Sequence, residues 1–207
     1  MRSALAGAGL ALALLAGCTA PATPSVPVAS ESASRFQGVE LTTPYALPDL
    51  TLTDHTGGDF NVRTSSERPV LVFYYGYTNC PDICLGVLTD IASAMNRLSD
   101  ADRARVQVLF VTVDPARDTP AVLAKYLSRI DPDFIGLTGE QADLDQLMAS
   151  MGVGVAGIEK AATGYEVNHT AQIVGFDRER RGVLVWPQGT AIGVLKADLE
   201  TLIRQQG

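Results

Sequence analysis

Two stretches of this chain are apolar at nearly every position: Pro69–Tyr75 (PVLVFYY) and Val106–Val113 (VQVLFVTV). A strand with one wet face alternates, whereas one buried on both faces does not, so these read as central strands of a covered sheet. Between them, Cys84–Leu98 carries Leu85, Leu88, Ile91, Met95 and Leu98 at spacings of three and four. That is one face of an amphipathic helix. Strand, helix, strand implies a parallel pairing with a right-handed crossover. The fold class is therefore α/β, with a central mixed sheet flanked by helices.

Other segments extend that frame. Asp49–Thr53 alternates as a strand, Asp54–Gly58 (DHTGG) is turn chemistry, and Phe60–Val62 resumes as the partner of an N-terminal β-hairpin. Thr119-Pro120 opens a helix with a cap and Pro at the first position, and Asp131-Pro132 ends it. Thr138 with Gln141 fits a capping box for a third helix stopping near Gly152. A hairpin-like stretch, Val153–Val167, leads to strands Ala171–Phe176 and Arg181–Trp186 and a closing helix, Ala197–Arg204.

The N-terminus reads differently. Leu5–Ala16 is almost purely Ala, Leu and Gly after Met1-Arg2. Such a run is shorter than the roughly 20 residues a membrane-spanning helix needs, and it suits a removable signal peptide, residues 1–17. Leu15-Ala16-Gly17-Cys18 resembles the lipobox of bacterial lipoproteins, which implies cleavage before Cys18 and a lipid anchor on it. Residues 18–35 carry that cysteine and a Pro/Ser/Ala tether, able to reach on the order of 50 Å if extended. The globular domain is residues 36–207.

Charge narrows the partners. The chain has 16 Lys and Arg against 23 Asp and Glu, a net −7, and loss of Arg2 leaves 15 basic residues against 23 acidic. A nucleic-acid partner is not expected of so acidic a balance. With only three cysteines and two histidines, zinc-finger arrays and disulfide-dense scaffolds are excluded.

The chemistry concentrates in Tyr75–Cys84 (YGYTNCPDIC), between a buried strand and a helix. With Pro81 as the first helical residue, Cys80 is the cap, where the positive helix end favours a thiolate. Cys84 follows on the same helical face. Two such sulfurs can form a disulfide or grip a soft metal ion. Thioredoxin-type oxidoreductases place two residues between their cysteines, and here there are three. A structural zinc site wants four protein ligands, so two thiolates and one imidazole suit copper better. The imidazole is His55, in the DHTGG turn, or His169, just before a strand. Asp114 and Asp118 follow the second buried strand, where strand ends form sites. Asp114 reads either as a group orienting a ligand or partner, or as a turn residue, and Asp118 as part of a helix cap.

In order, YGYTNCPDIC (75–84), VTVDPARDTP (111–120), FIGLTG (134–139) and NHT (168–170) resemble the Sco/SenC family of copper chaperones. The resemblance implies a thioredoxin-like fold and one copper ion per chain, Cu(I) or Cu(II), held by Cys80, Cys84 and His169. It implies a redox disulfide between Cys80 and Cys84, and delivery to the cytochrome c oxidase subunit that carries the copper A site. Other copper chaperones and a thiol reductant are the further partners expected. The location expected is the extracytoplasmic, periplasmic side of a bacterial membrane, held through Cys18. Where thioredoxin relatives place a Pro against the cysteine loop, this chain offers His169. One departure is Leu85, where the family usually has Pro. Another is the strand after His169, less aromatic than is typical. A metallochaperone is expected rather than an enzyme, and the rival is a thiol–disulfide reductase that keeps the acceptor's cysteines reduced, for which His169 is superfluous.

Overall fold

In chain order the elements are β1 (Val39–Ala46), β2 (Thr51–Asp54), β3 (Asp59–Asn61), β4 (Val70–Gly76), α1 (Ile83–Met95), α2 (Asp100–Arg103), β5 (Val106–Thr112), α3 (Pro120–Leu127), β6 (Ile135–Thr138), α4 (Gln141–Ser150), β7 (Val155–Ala161), β8 (Gly164–His169), β9 (Gln172–Phe176), β10 (Arg181–Pro187) and α5 (Ile192–Gln205). The structure is a computed structural model and describes residues 34–81, 83–161 and 164–206. The signal segment 1–17 and residues 18–33 of the tether, Cys18 among them, lie outside the described residues.

The two apolar runs form β4 and β5, adjacent, parallel and buried at every position. They sit inside an eight-stranded sheet of order β1-β10-β9-β4-β5-β6-β2-β3. The β5–β6 pair is also parallel, whereas β9 meets β4 antiparallel, so the sheet is mixed as expected. The hairpin of β2 and β3 forms, and β2 joins the sheet on β6. The strands β7 and β8 pair only with each other.

Helices cover the sheet where small residues admit them. A Cβ on Gly136 of β6 would stand 3.0 Å from both Leu123 and Leu127, so α3 lies directly on that strand. Helices α1 and α5 pack together. The buried carboxylate of Asp198 on α5 accepts the backbone N–H groups of Gln37 and Gly38, each at 2.8 Å, and Trp186 Nε1 at 2.8 Å. The start of the domain is thereby tied to its last helix. Among the described residues no helix is long and apolar enough to cross a membrane.

Several local expectations change. Helix α1 begins at Ile83, so Pro81 is not its first residue and Cys80 is not its cap. Leaving the strand takes longer because Tyr77–Cys80 closes a turn, with the Cys80 N–H on the Tyr77 carbonyl at 3.2 Å. The capping box of Thr138 and Gln141 does not form. Thr138 is the buried last residue of β6, and Glu140 precedes α4 without a side-chain bond. Strand β1 escaped the pattern reading because it is an edge strand containing Pro44 and mostly exposed. The closing helix starts five residues earlier than its apolar spacing indicated, at Ile192.

Candidate functional site

The carboxyl ends of β4 and β5 lie side by side, and the loops that leave them build the site. Strand β4 ends at Gly76, where a Cβ would stand 3.0 Å from Cys84 Sγ and 2.9 Å from the Phe110 ring. Only a residue without a side chain leaves room there for the sulfur.

The cysteine loop is fastened from beneath by Asp118, a fully buried carboxylate. Thr78 donates its N–H at 3.0 Å and its hydroxyl at 2.6 Å, and the Thr112 hydroxyl donates at 2.7 Å. Three donors converging on one carboxylate lock the two loops together. The cap role expected for Asp118 is thus replaced: Thr119 precedes α3 without a side-chain bond, and Asp118 turns back toward the cysteines. The residue missed its role in the sequence because its partners are 6 and 40 positions away. The available signal was its place after a buried parallel strand.

Cys80 and Cys84 are both free thiols. Cys80 is partly exposed, and its Sγ accepts the Cys84 backbone N–H at 3.4 Å, one of the unpaired donors of the first helical turn. Cys84 is wholly buried at the second position of α1. Burial, reinforced by the nearby Cys80, pushes its thiol up to about 12. Desolvation outweighs the helix end for this sulfur, and Cys84 keeps its proton in the metal-free protein.

His169 is the last residue of β8, not part of the loop before β9. Its Nδ1–H donates to the Thr170 carbonyl at 3.1 Å, because a carbonyl can only accept. That fixes the tautomer and leaves Nε2 as an acceptor, 3.9 Å from Cys84 Sγ, whose S–H donates to it. Burial lowers the imidazole's pKa, so the ring is held neutral, the form that ligates metals. The Tyr77 ring meets it edge-on, 6.2 Å between centroids. His55, the other imidazole, is elsewhere: its Nδ1 accepts the Gly136 N–H at 3.1 Å and steadies a turn.

Cys80, His169, Tyr77 and Ile83 line one open cavity of about 250 Å³. Among the described residues no three His, Cys, Asp or Glu side chains stand close enough together to hold a metal ion between them. The donors converge in pairs, Cys84 with His169 and Cys80 with the start of α1. Asp114 does not touch the sulfurs or the imidazole. It accepts from Tyr165 on the hairpin and from Arg117.

A dithiol at the strand-to-helix junction of a mixed α/β sheet, with a neutral imidazole delivered onto its second sulfur, defines the class: a thioredoxin-like domain with a soft donor set. The chain belongs to the SCO1/SenC family, whose model matches residues 41–204. A putative copper-binding protein of Stutzerimonas stutzeri is 33% identical over 155 residues, 75% of this chain and 71% of that one. The protein SCO1, mitochondrial, of Saccharomyces cerevisiae is 48% identical over 88 residues, 42% of this chain but only 30% of its own length. The solved structure of Bradyrhizobium japonicum ScoI with copper bound superposes with a TM-score of 0.68 at 30% identity, covering 76% of this chain and 99% of that one.

Proposed function

We propose that this chain is a membrane-anchored, extracytoplasmic copper chaperone that takes one copper ion on Cys80, Cys84 and His169. The observation that carries it is the approach of His169 Nε2 to Cys84 Sγ, 3.9 Å, above a cavity that Cys80 also lines. Two thiolates and one imidazole are soft donors that select copper over hard cations. The tautomer fits as well, since the free lone pair is the one facing the sulfur. The copper in the ScoI structure and the copper-binding description of the Stutzerimonas relative support the same cargo.

Loading replaces the Cys84 proton with metal, which offsets the burial that otherwise keeps this sulfur protonated. The cargo leaves by exchange with sulfur and nitrogen ligands of an acceptor. The family resemblance points to the copper A subunit of cytochrome c oxidase as that acceptor. The lipobox-like segment at Cys18 and the tether 18–35 hold the donor at the membrane surface of the bacterial envelope and raise its effective concentration there. In the oxidised apo form Cys80 and Cys84 form a disulfide, and a thiol reductant restores them before loading.

The test is an anaerobic titration of the reduced protein with Cu(I). One ion per chain is expected, and alkylation of both thiols abolishes it. Tight binding that survives alkylation refutes the ligand set.

A further inference from the structure

His169 rides on β7 and β8, a two-stranded ribbon that pairs with no strand of the main sheet. A ribbon of two strands is only marginally stable alone in water. Side-chain contacts to the body must therefore set where the imidazole stands. Tyr165, Val167 and His169 alternate along β8 and share one of its faces. Each meets the body. Val167 donates its N–H to the Tyr77 hydroxyl at 3.2 Å, and His169 lies against the Tyr77 ring.

The third contact is the strongest. Arg117, in the turn after β5, lays its guanidinium 3.6 Å from the centroid of the Tyr165 ring and 5.5 Å from that of Tyr77. Its Nη1 donates to the Tyr165 carbonyl at 3.0 Å, and its Nε donates to Asp114. Asp114 accepts the Tyr165 hydroxyl at 2.7 Å with its other oxygen. Arg117 Nη2 is buried without a hydrogen-bond partner among the described residues, so stacking and the other two nitrogens hold the group. A planar, forked cation pinned between two rings and a carboxylate is a geometry that lysine cannot reproduce.

We propose that Arg117, oriented by Asp114, is a positioning residue that latches the His169 ribbon over the cysteine loop. It touches no copper ligand and acts through the placement of His169. The proposal rests on the ligand set given above. Outer groups that orient a ligating histidine are typically worth 10- to 100-fold in metal affinity.

The experiment measures Cu(I) affinity of the full chain by anaerobic competition with a chromogenic chelator, in a double-mutant cycle. Arg117→Lys keeps the charge and loses the fork and the stack, and it should weaken copper binding about 10- to 100-fold. Tyr165→Phe, which removes a single hydrogen bond, should weaken it in the same direction by less. In a His169→Ala background Arg117→Lys should cause no further loss, and the thiol count should match wild type throughout. Nitrogen coupling in the Cu(II) resonance spectrum should weaken with Arg117→Lys. The latch is overturned if Arg117→Lys and Tyr165→Phe bind copper as wild type does, or if Arg117→Lys costs the same with and without His169. A His169→Ala chain that binds copper with wild-type affinity overturns the ligand set itself, and the latch with it.

Discussion

The sulfur of Cys84 and Nε2 of His169 stand 3.9 Å apart across 85 residues of sequence. The contact is as specific as it is because the far side of the ring is tied to the Thr170 carbonyl. Changing His169→Ala should therefore lower copper affinity at least 10-fold, the scale at which even outer-sphere groups matter. The Cys80–Cys84 pair should still oxidise and reduce. Copper affinity and thiol counts on the same preparation decide it. Unchanged copper affinity with intact dithiol chemistry would favour the reductase reading, for which His169 is superfluous.

Asp118 is the keystone of the cysteine loop. Replacing it with Ala leaves Thr78 N–H, Thr78 O–H and Thr112 O–H without their acceptor in a buried place. Each unsatisfied buried donor costs about 1–3 kcal/mol. Asp118→Asn keeps the shape and one accepting oxygen, and should cost about 1–3 kcal/mol in all. For a domain of this size that lowers the Tm by about 2–4 °C per kcal/mol. An Asn variant that melts with wild type would show that the clasp contributes no net stability.

The sheet's centre was legible in the sequence because β4 and β5 are buried on both faces and carry uninterrupted apolar runs. The cysteines were legible because they are close in sequence and sit at a strand-to-helix junction. His169 was singled out by the family motif, not by its surroundings, since nothing local distinguishes a ligating histidine from a structural one. The turn at Tyr77–Cys80 delayed α1 beyond what Pro81 signalled. Asp118 was legible only for its place after a buried strand and Arg117 not at all, because Thr78 and Tyr165, on which they act, lie 40 and 48 positions away. Spacing rules report neighbours along one element, and these contacts join different loops.

Tyr74 is buried, stacked on Phe110 with centroids 6.1 Å apart, and its hydroxyl has no hydrogen-bond partner among the described residues. Burial first, and then the neighbouring Cys84, raises its pKa far above that of a free phenol, so it stays neutral. Tyr74→Phe removes an unsatisfied polar atom without changing the ring. Stability should rise by about 1 kcal/mol or more. Thermal melts of the metal-free, reduced protein read this directly. A destabilised variant would show that the hydroxyl is satisfied after all, by the Cys84 sulfur or by a buried water.

The proposed anchor rests on Cys18. Membrane attachment is assigned to this cysteine on the strength of the lipobox-like segment Leu15-Ala16-Gly17-Cys18. Cys18→Ala should move the protein from the membrane fraction to the soluble fraction of the envelope, or stall it as an unprocessed precursor. A processed Cys18→Ala chain that still sediments with membranes would require another attachment.

In the proposed cycle, copper and the disulfide compete for the same two sulfurs. Forming the Cys80–Cys84 bond takes two electrons and two protons from the thiols to an added oxidant such as diamide, and it leaves neither sulfur free to ligate. Oxidation should therefore expel the metal, and bound metal should slow both oxidation and alkylation. The two residues are already close, the Cys84 N–H lying on the Cys80 sulfur at 3.4 Å. The two thiols also differ in exposure, Cys80 open to the cavity and Cys84 buried. An alkylating reagent should reach Cys80 first in the metal-free protein, and mass analysis of peptides after brief labelling shows the order. Cys80→Ser and Cys84→Ser should each abolish the disulfide and weaken copper binding together, whereas Arg117→Lys should weaken copper alone. The decisive measurement pairs copper affinity with free-thiol count before and after mild oxidation. Oxidised protein with no free thiol at 80 or 84 that held copper as tightly as the reduced form would place the metal somewhere other than these sulfurs.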